Sequence, residues 1–240
     1  MNIFITGISR GLGLELTKHF LENGHNVMGV SRTKTTELEQ LLSQYPDHLK
    51  WCHCDLSETL KIEDCLQTQL ALSETRIDAF IDNAAMLYKN LIHRIDPVEV
   101  EKMVIVNTVA PMVVTKIMLD NFLRFKTKGV IVHMSSICAH KAFNGLSAMG
   151  ATKAAIEAFS RDIAFEYGRF GIRSNTIVAG LLEIGMKSTV NEKLTDGLKS
   201  MSSLRRLVDT PSIINMIDYL ISDKACCITG ECIHIDAGIV

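Results

Sequence analysis

MNIFITGISRGLG, residues 1–13, places a short apolar run directly before a loop that contains three glycines. The apolar residues 3–5 predict a buried strand. After the loop, Leu12, Leu16 and Phe20 recur at helical spacing and predict an amphipathic helix. A strand, a glycine loop and a helix in this order predict a phosphate-binding turn. Glycines let the backbone approach the ligand, and the helix N-terminus offers free N–H groups to it.

A second apolar run, residues 26–30, follows at the spacing of a strand–helix–strand unit. In NAD-binding units an acidic residue at the end of this strand usually binds the adenosine ribose. This chain has Ser31 and Arg32 there, and Arg10 lies in the glycine loop. Two guanidinium groups and a hydroxyl suit a 2′-phosphate, so we predict NADP(H) as the cofactor. The alternative is that both arginines are ordinary solvated charges.

Strand-like runs and helical patterns alternate along the whole chain of 240 residues. This alternation predicts a single α/β domain, doubly wound (Rossmann), with a mostly parallel seven-stranded sheet and helices on both faces. The strands are expected near 2–6, 26–30, 49–54, 78–82, 129–134, 172–178 and 232–235. The helices are expected near 11–23, 35–44, 57–72, 97–123, 148–169 and 211–222. Pro111 predicts a kink in the long fourth helix.

Residues 180–210 break the alternating pattern, since they hold two glycines, many polar residues and several methionines. In a doubly wound sheet this segment follows the carboxyl end of a strand, which is where ligands bind. We therefore predict that it forms a lid over the substrate.

The composition excludes several classes of protein. A formal net charge of −2 gives no electrostatic reason to bind nucleic acid or an anionic membrane. No apolar run approaches the ~18 residues that span a bilayer, and the strand expected at residue 2 leaves no room for a signal peptide. Seven cysteines without a CxxC motif predict free thiols in a reducing cytoplasm. No ligand spacing predicts a metal site.

Residues 6–13, Thr-Gly-Ile-Ser-Arg-Gly-Leu-Gly, resemble the Thr-Gly-x3-Gly-x-Gly loop of the short-chain dehydrogenases/reductases. Other family landmarks follow in order over the whole chain: Asp55 after the third strand, the turn 82–85 after the fourth, and the C-terminal signature 223–238. The resemblance and the residue pattern together imply a set of cofactor-binding residues. They are Thr6, Gly7, Ser9, Arg10, Gly11, Leu12, Gly13, Ser31, Arg32, Asp55, Leu56, Asn83, Ala84, Lys153, Gly180 and Leu182.

The resemblance also implies a catalytic set, made up of Ser136, Asn107, Lys153 and the position of the family's tyrosine. In the family's Tyr-x3-Lys motif the tyrosine exchanges a proton with the substrate oxygen, but here Met149 stands at that position. A thioether has no exchangeable proton. Loss of a general acid lowers the rate on the order of 10²- to 10⁴-fold. By resemblance, Lys153 still binds the nicotinamide ribose and Asn107 still holds a water near that lysine.

Two further departures lie at the nicotinamide end, where Ala179 replaces the family's proline and Ile184 replaces a threonine. A substitute proton donor is therefore of interest, and His140, Tyr88 or a water near Lys153 could supply it. Lys141, His133 and Cys138 are also close in sequence to Ser136.

Three functions remain open at this point. The first is an NADP(H)-dependent oxidoreductase for a small organic substrate, which would be an iminium, an activated alkene or a carbonyl with a substitute acid. The second is a non-redox NADP-binding protein: a pseudoenzyme, a sensor or the inactive subunit of a hetero-complex. The third is a lyase or isomerase. By resemblance we expect a homo-oligomer, dimer or tetramer, that pairs through the helices near 97–123 and 148–169.

Overall fold

The computed structural model describes residues 1–182 and 192–240. Within them, seven strands form one parallel sheet in the order β3-β2-β1-β4-β5-β6-β7. The strands are β1 (Asn2–Thr6), β2 (Asn26–Ser31), β3 (Leu49–His53), β4 (Ala79–Asp82), β5 (Val130–Ser136), β6 (Arg173–Ala179) and β7 (Cys232–Ile235). Each lies where the apolar pattern predicted it, and the doubly wound α/β fold is confirmed.

Helices cover both faces of the sheet. They are α1 (Gly11–Glu22), α2 (Thr36–Gln44), α3 (Thr59–Leu70), α4 (Pro97–Val104), α5 (Ala110–Phe125), α6 (Ser147–Tyr167), α7 (Glu192–Met201) and α8 (Thr210–Ile221). The sequence did not predict α7, which lies inside the segment 180–210.

Two large apolar clusters, one on each face of the sheet, form most of the core. Successive residues of β1 alternate between them, so Ile3 and Ile5 pack on one side and Phe4 on the other. All three side chains are fully buried, as expected for a parallel strand that is covered on both faces. The order of the strands reverses between β1 and β4. The carboxyl ends of these two strands therefore border the crevice in which such sheets bind ligands.

The predicted helix 97–123 consists of α4 and α5 joined by a π-helical turn, Ile105–Val109. The amide of Ala110 donates to the carbonyl oxygen of Ile105, five residues back, so the helix holds one additional residue just before Pro111. Asn107 lies in this turn and is 1 % exposed. The irregularity expected from Pro111 thus takes the form of a widened turn that points an amide side chain inward.

The helical stretch Pro97–Phe125 is long and apolar enough, by composition, to cross a membrane. Its most apolar 18-residue window has a mean hydropathy of 1.5. The expectation that no apolar run approaches the length needed to span a bilayer was therefore wrong. In the fold, 56 % of that window is buried, and Val114, Met118 and Phe122 pack in the core. Burial of this kind is typical of the core helix of a globular domain.

Candidate functional site

At two positions of the glycine loop between β1 and α1, a side chain would crowd the neighbouring backbone. Gly7 has a φ of +78°, and a Cβ there would lie 3.0 Å from the Cα of Ala84. Gly13 lies in the first turn of α1, where a Cβ would come within 2.1 Å of the carbonyl oxygen of Gly7. The absence of side chains therefore lets the loop fold against the start of the helix.

Three neighbouring segments fix the loop by hydrogen bonds. The amide of Gly7 donates to the carbonyl oxygen of Val30 at 2.7 Å. The hydroxyl of Thr35, at the start of α2, donates to the carbonyl oxygen of Ser9 at 2.8 Å. From the turn after β4, the side-chain amide of Asn83 donates to the carbonyl oxygen of Thr6 at 3.0 Å. These hydrogen bonds hold the loop against β2, the start of α2 and the turn after β4.

A cavity of about 520 Å³ lies over this loop. Ten of the residues predicted to bind the cofactor line it: Gly7, Ser9, Arg10, Leu12, Ser31, Arg32, Asp55, Leu56, Asn83 and Ala84. Six other predicted residues do not line it: Thr6, Gly11, Gly13, Lys153, Gly180 and Leu182. Six lining residues were not predicted: Val30, Thr33, Cys54, Ala85, Met86 and Val106. Most of these adjoin a predicted residue, whereas Met86 and Val106 extend the cavity toward Asn107.

The residues outside this cavity have other roles in the crevice. The hydroxyl of Thr6 accepts from the amides of Asn83 and Ala84, at 3.0 Å each, and thereby holds the turn after β4 against the loop. The amide of Gly180 donates to the carbonyl oxygen of Ile235 at 2.9 Å, and Leu182 pairs with Val208 in a parallel bridge. Gly11 has a φ of +59° and has open space around it.

The end of β2 presents two cations to the cavity, but it does not present a free hydroxyl. Arg10 and Arg32 are both exposed, and neither forms an ion pair with a described residue. The hydroxyl of Ser31 is already engaged, since it donates to the carbonyl oxygen of Thr33 at 2.8 Å and accepts from the indole of Trp51 at 2.8 Å. The role of Ser31 as a donor to a 2′-phosphate stays a prediction, and it would require this hydroxyl to leave Thr33. The Ser31 hydroxyl shapes the β2–α2 loop.

Asp55 follows β3 and also lines the cavity. Partial burial tends to raise the pKa of its carboxyl, but hydrogen bonds from the amide and hydroxyl of Ser57 outweigh this effect. The nearby charges of Arg32 and Lys102 lower the pKa further, so that it lies below its ordinary value. Both bonds from Ser57 go to Oδ1, at 2.9 and 2.8 Å, and Oδ2 is left available to accept from a ligand. An amino group is the complementary partner for that oxygen.

The far end of the cavity adjoins the predicted catalytic residues. The side chain of Asn107 holds the backbone of Met86, because its Oδ1 accepts from the Met86 amide at 2.7 Å and its Nδ2 donates to the Met86 carbonyl oxygen at 2.8 Å. The same Nδ2 lies 3.4 Å from the sulfur of Met149 on α6. The structure therefore brings Asn107 and Met149 together at the edge of the crevice.

Lys153 lies one turn after Met149 on α6, and its side chain is buried. Its Nζ donates to the carbonyl oxygen of Met134 on β5 at 2.7 Å. Burial lowers the pKa of this ammonium, and the negative charge of Asp82 partly opposes that shift. A buried cation with a single neutral acceptor retains donors for further partners.

Ser136 ends β5 and is half-buried. Its hydroxyl oxygen accepts from the amide of Cys138 at 3.3 Å, so the O–H hydrogen is free to be donated. The carboxylate of Glu157 on α6 holds the chain on both sides of this residue: it accepts from the hydroxyl of Ser135 and pairs with Nε2 of His140 at 2.9 Å.

Four of the candidate substitute donors have structural partners. Glu157, which binds His140, lies two turns beyond Met149, about 12 Å along the helix axis. The hydroxyl of Tyr88 accepts from the amide of Asp96 at 2.8 Å and so anchors the start of α4. The other two are engaged as well: Lys141 donates to the carbonyl oxygen of Ile239 at 2.6 Å, and the fully buried His133 lies 3.1 Å from the carboxylate of Asp82.

Part of the predicted lid lies outside the described residues, and this part includes Ile184 and Met186. The segment after α7 contacts the end of the chain, where the amides of Ser203 and Leu204 each donate at 3.0 Å to the carbonyl oxygens of Gly238 and Ala237. In the described ranges, no group of three or more His, Cys, Asp and Glu side chains is placed to hold a metal ion.

Comparison with known proteins identifies the family. Residues 7–240 match the family model described as Enoyl-(Acyl carrier protein) reductase. The chain belongs to the short-chain dehydrogenase/reductase family. It is 26 % identical over 240 residues to the 3-oxoacyl-[acyl-carrier-protein] reductase FabG of Chlamydia pneumoniae, covering 99 % of this chain and 96 % of the relative.

Two other members bear on the cofactor. Carbonyl reductase [NADPH] 2 of Sus scrofa is 25 % identical over 241 residues, 99 % of this chain and 96 % of the relative. A solved 4-hydroxyisoleucine dehydrogenase complexed with NADH superimposes with a TM-score of 0.93 at 29 % identity, covering 100 % of this chain and 98 % of that chain. The names of these relatives point to both nicotinamide cofactors, and the family is one of oxidoreductases.

Proposed function

We propose that this chain is an NADP(H)-dependent oxidoreductase that acts on a small organic substrate without a side-chain acid at position 149. One observation carries the proposal: a single cavity runs from the glycine loop and Arg32 to Met86, which Asn107 links to Met149. The adenosine half of this site offers the groups that a dinucleotide needs. The other half lacks the family's phenol.

Arg10 and Arg32 support the choice of NADP(H). Both line the cavity and are exposed without a described carboxylate partner, so they are available to a phosphate. The relative named as an NADPH enzyme agrees with this choice, whereas the structure with bound NADH does not. We favour NADP(H) over NAD(H) because a 2′-phosphate gives the two guanidinium groups an anionic partner, whereas a 2′-hydroxyl does not.

When bound, NADPH supplies a hydride; the protein positions the reactants. Lys153 would donate the remaining hydrogens of its ammonium to the ribose hydroxyls, since only one of them is bound to Met134. Ser136 would donate its free O–H to a polar substrate atom. The π-helical turn holds Asn107 against Met86 and keeps the wall between cofactor and substrate in place.

Met149 limits the classes of substrate that we propose. Its sulfur cannot supply a proton. Glu157 binds His140 two turns along α6 from Met149, and the hydroxyl of Tyr88 accepts from the amide of Asp96 at the start of α4. Hydride addition to an iminium carbon requires no proton. Conjugate reduction of an activated alkene can take its proton from water, and the family model described as an enoyl reductase agrees with such a substrate. A carbonyl whose proton comes from a water near Lys153 is the third class.

Single-turnover oxidation of NADPH tests the proposal. The enzyme is mixed with NADPH and, separately, with an iminium, an enoyl thioester and a ketone, and the loss of nicotinamide absorbance is followed. We expect turnover with at least one of the first two and a much slower reaction with the ketone; Lys153→Met serves as the impaired control. Tight NADPH binding with no oxidation by any acceptor would instead establish the non-redox alternative.

We also propose that the protein is a cytoplasmic homo-oligomer. The outer face of α4 and α5 exposes Val98, Val104 and Met112, and on α6 the side chain of Phe165 is 90 % exposed. Apolar surface at these positions favours association of two copies through the helices. Light scattering after size exclusion should give a mass of a dimer or tetramer, and a monomer at micromolar concentration would refute this assembly.

A further inference from the structure

Three cysteines meet beside the cofactor cavity. Cys52 lies on β3, Cys54 follows the strand, and Cys65 lies on α3, which packs against it. The sulfur atoms of Cys52 and Cys65 are 3.6 Å apart. The thiol of Cys65 donates to the carbonyl oxygen of His53 at 3.1 Å. A disulfide has an S–S distance of about 2.05 Å, so the two sulfurs need to approach by only about 1.5 Å.

The position of this pair in the chain connects it to the cavity. The segment between Cys52 and Cys65 contains three consecutive lining residues, Cys54, Asp55 and Leu56. A bond between Cys52 and Cys65 would close this segment into a ring and draw α3 toward β3. The carboxylate of Asp55 and the wall around it would then change position.

The three thiols differ in their access to solvent. Cys65 is half-buried, whereas Cys52 and Cys54 are buried. Burial raises the pKa of the Cys54 thiol to about 12 and also raises the pKa of Cys52, and the adjacent Cys65 adds to both shifts. Buried neutral thiols react slowly with solutes. An external reagent therefore reaches this cluster first at Cys65.

We propose that Cys52 and Cys65 form a reversible disulfide, with a small-molecule disulfide as the oxidant, and that this disulfide weakens binding of NADP(H). The thiolate of Cys65 attacks one sulfur of the oxidant, whose S–S bond breaks and releases one thiolate. The thiol of Cys52 then gives its proton to a released thiolate and attacks the Cys65 sulfur of the mixed disulfide, which releases the second thiolate. Two cysteines are oxidised, one small-molecule disulfide is reduced to two thiols, and the cysteine protons end on those thiols.

The expected effect on the Kd of the cofactor rests on the proposed function, and its magnitude follows from the loss of one hydrogen bond. Displacement of Asp55 removes one hydrogen bond to the ligand, which corresponds to about a five- to tenfold rise in Kd. Linkage requires the reciprocal effect. Saturating NADP+ must shift the midpoint of disulfide formation toward more oxidising conditions by the same factor.

The experiment equilibrates the full chain in glutathione redox buffers with and without NADP+. Alkylation and peptide mapping then quantify the linkage: trypsin cleaves at Lys61 and so separates Cys65 from Cys52 and Cys54, and fragmentation of the linked peptide assigns the bond to Cys52. We expect a Cys52–Cys65 disulfide, a five- to tenfold higher Kd for NADP+ in the oxidised protein, and recovery after reduction. Absence of this disulfide at the most oxidising ratio, or its formation with unchanged Kd, overturns the proposal.

Variants keep the outcomes separate. Cys65→Ser and Cys65→Ala should bind NADP+ like the reduced protein and become insensitive to the buffer, with thermal melts to show that both fold. Cys232→Ser, a half-buried cysteine on β7, is the matched control and should retain the wild-type response. If the reduced protein binds no dinucleotide, the proposed function fails, together with the effect on affinity. The disulfide map still decides whether the pair is a modification site.

Discussion

Replacing Arg32 with alanine tests the cofactor preference most directly. Arg32 follows β2, lines the cavity and is exposed, and no described carboxylate forms an ion pair with it. A hydrogen bond to a charged group contributes about 1.5–3 kcal/mol. Solvent screens an exposed guanidinium, so the lower end of that range applies and corresponds to roughly a tenfold rise in Kd for NADP+.

The informative quantity is the ratio of two affinities. Arg32→Ala should raise the Kd of NADP+ about tenfold and leave that of NAD+ nearly unchanged, because only NADP+ carries the 2′-phosphate. Arg10→Ala should behave in the same way, and the double variant should lose less than the product of the two effects, because both arginines share one phosphate.

Calorimetric titration of both dinucleotides at fixed ionic strength provides the measurement. Arg169→Ala is a matched control, since Arg169 is an exposed arginine stacked on Phe170 in the turn after α6. The difference between variant and wild type should shrink at high salt. An equal loss for NADP+ and NAD+, or no loss for either, would refute the assignment of a 2′-phosphate to this place.

Three further predictions concern the rest of the site. Met149→Tyr should increase the rate of ketone reduction on the order of 10²-fold or more, and no gain in a variant that binds cofactor would show that the substrate pocket has diverged as well. Gly13→Ala should abolish dinucleotide binding and lower the melting temperature, because its Cβ would lie 2.1 Å from the carbonyl oxygen of Gly7; a wild-type Kd would contradict this. Burial lowers the pKa of Lys153 below its ordinary 10.5, so the unfolded chain holds more protons between the two values and stability rises with pH there. Lys153→Met should flatten that rise in denaturation curves while weakening dinucleotide binding, and an unchanged slope would argue against a buried charge.

The sequence predicted the fold well because a parallel sheet buries both faces of its strands. Each strand then appears as a continuous apolar run, as in residues 3–5, and glycines mark the loop that follows. The helix α7 was missed because its polar composition resembles that of a loop. The π-helical turn at Ile105–Val109 was missed because helix propensities are the same for a regular turn and for a turn with one additional residue.

Parts of the site depend on contacts between distant segments, and no sequence pattern indicates these. The hydroxyl oxygen of Ser31, a residue predicted to bind phosphate, accepts from the indole of Trp51, a residue on the neighbouring strand β3. His140 was a candidate proton donor, and its partner Glu157 comes from a helix that follows later in the chain. Tertiary packing determines such partners. The sequence therefore predicted which residue types lie near the crevice better than it predicted which of their hydrogen-bonding groups are available to a ligand.

The additional residue in the π-helical turn has a consequence for how this helix can change. Deleting one residue in Ile105–Val109 would restore regular α-helical bonding. Because the widened turn takes up the additional residue within a single turn, Met103 and Val114 could stay buried together after the deletion. The deletion would instead remove the widening that directs Asn107 toward Met86. Insertions and deletions should therefore be tolerated far less in this turn than in the exposed loops, even though no residue of the turn is predicted to carry out chemistry other than Asn107.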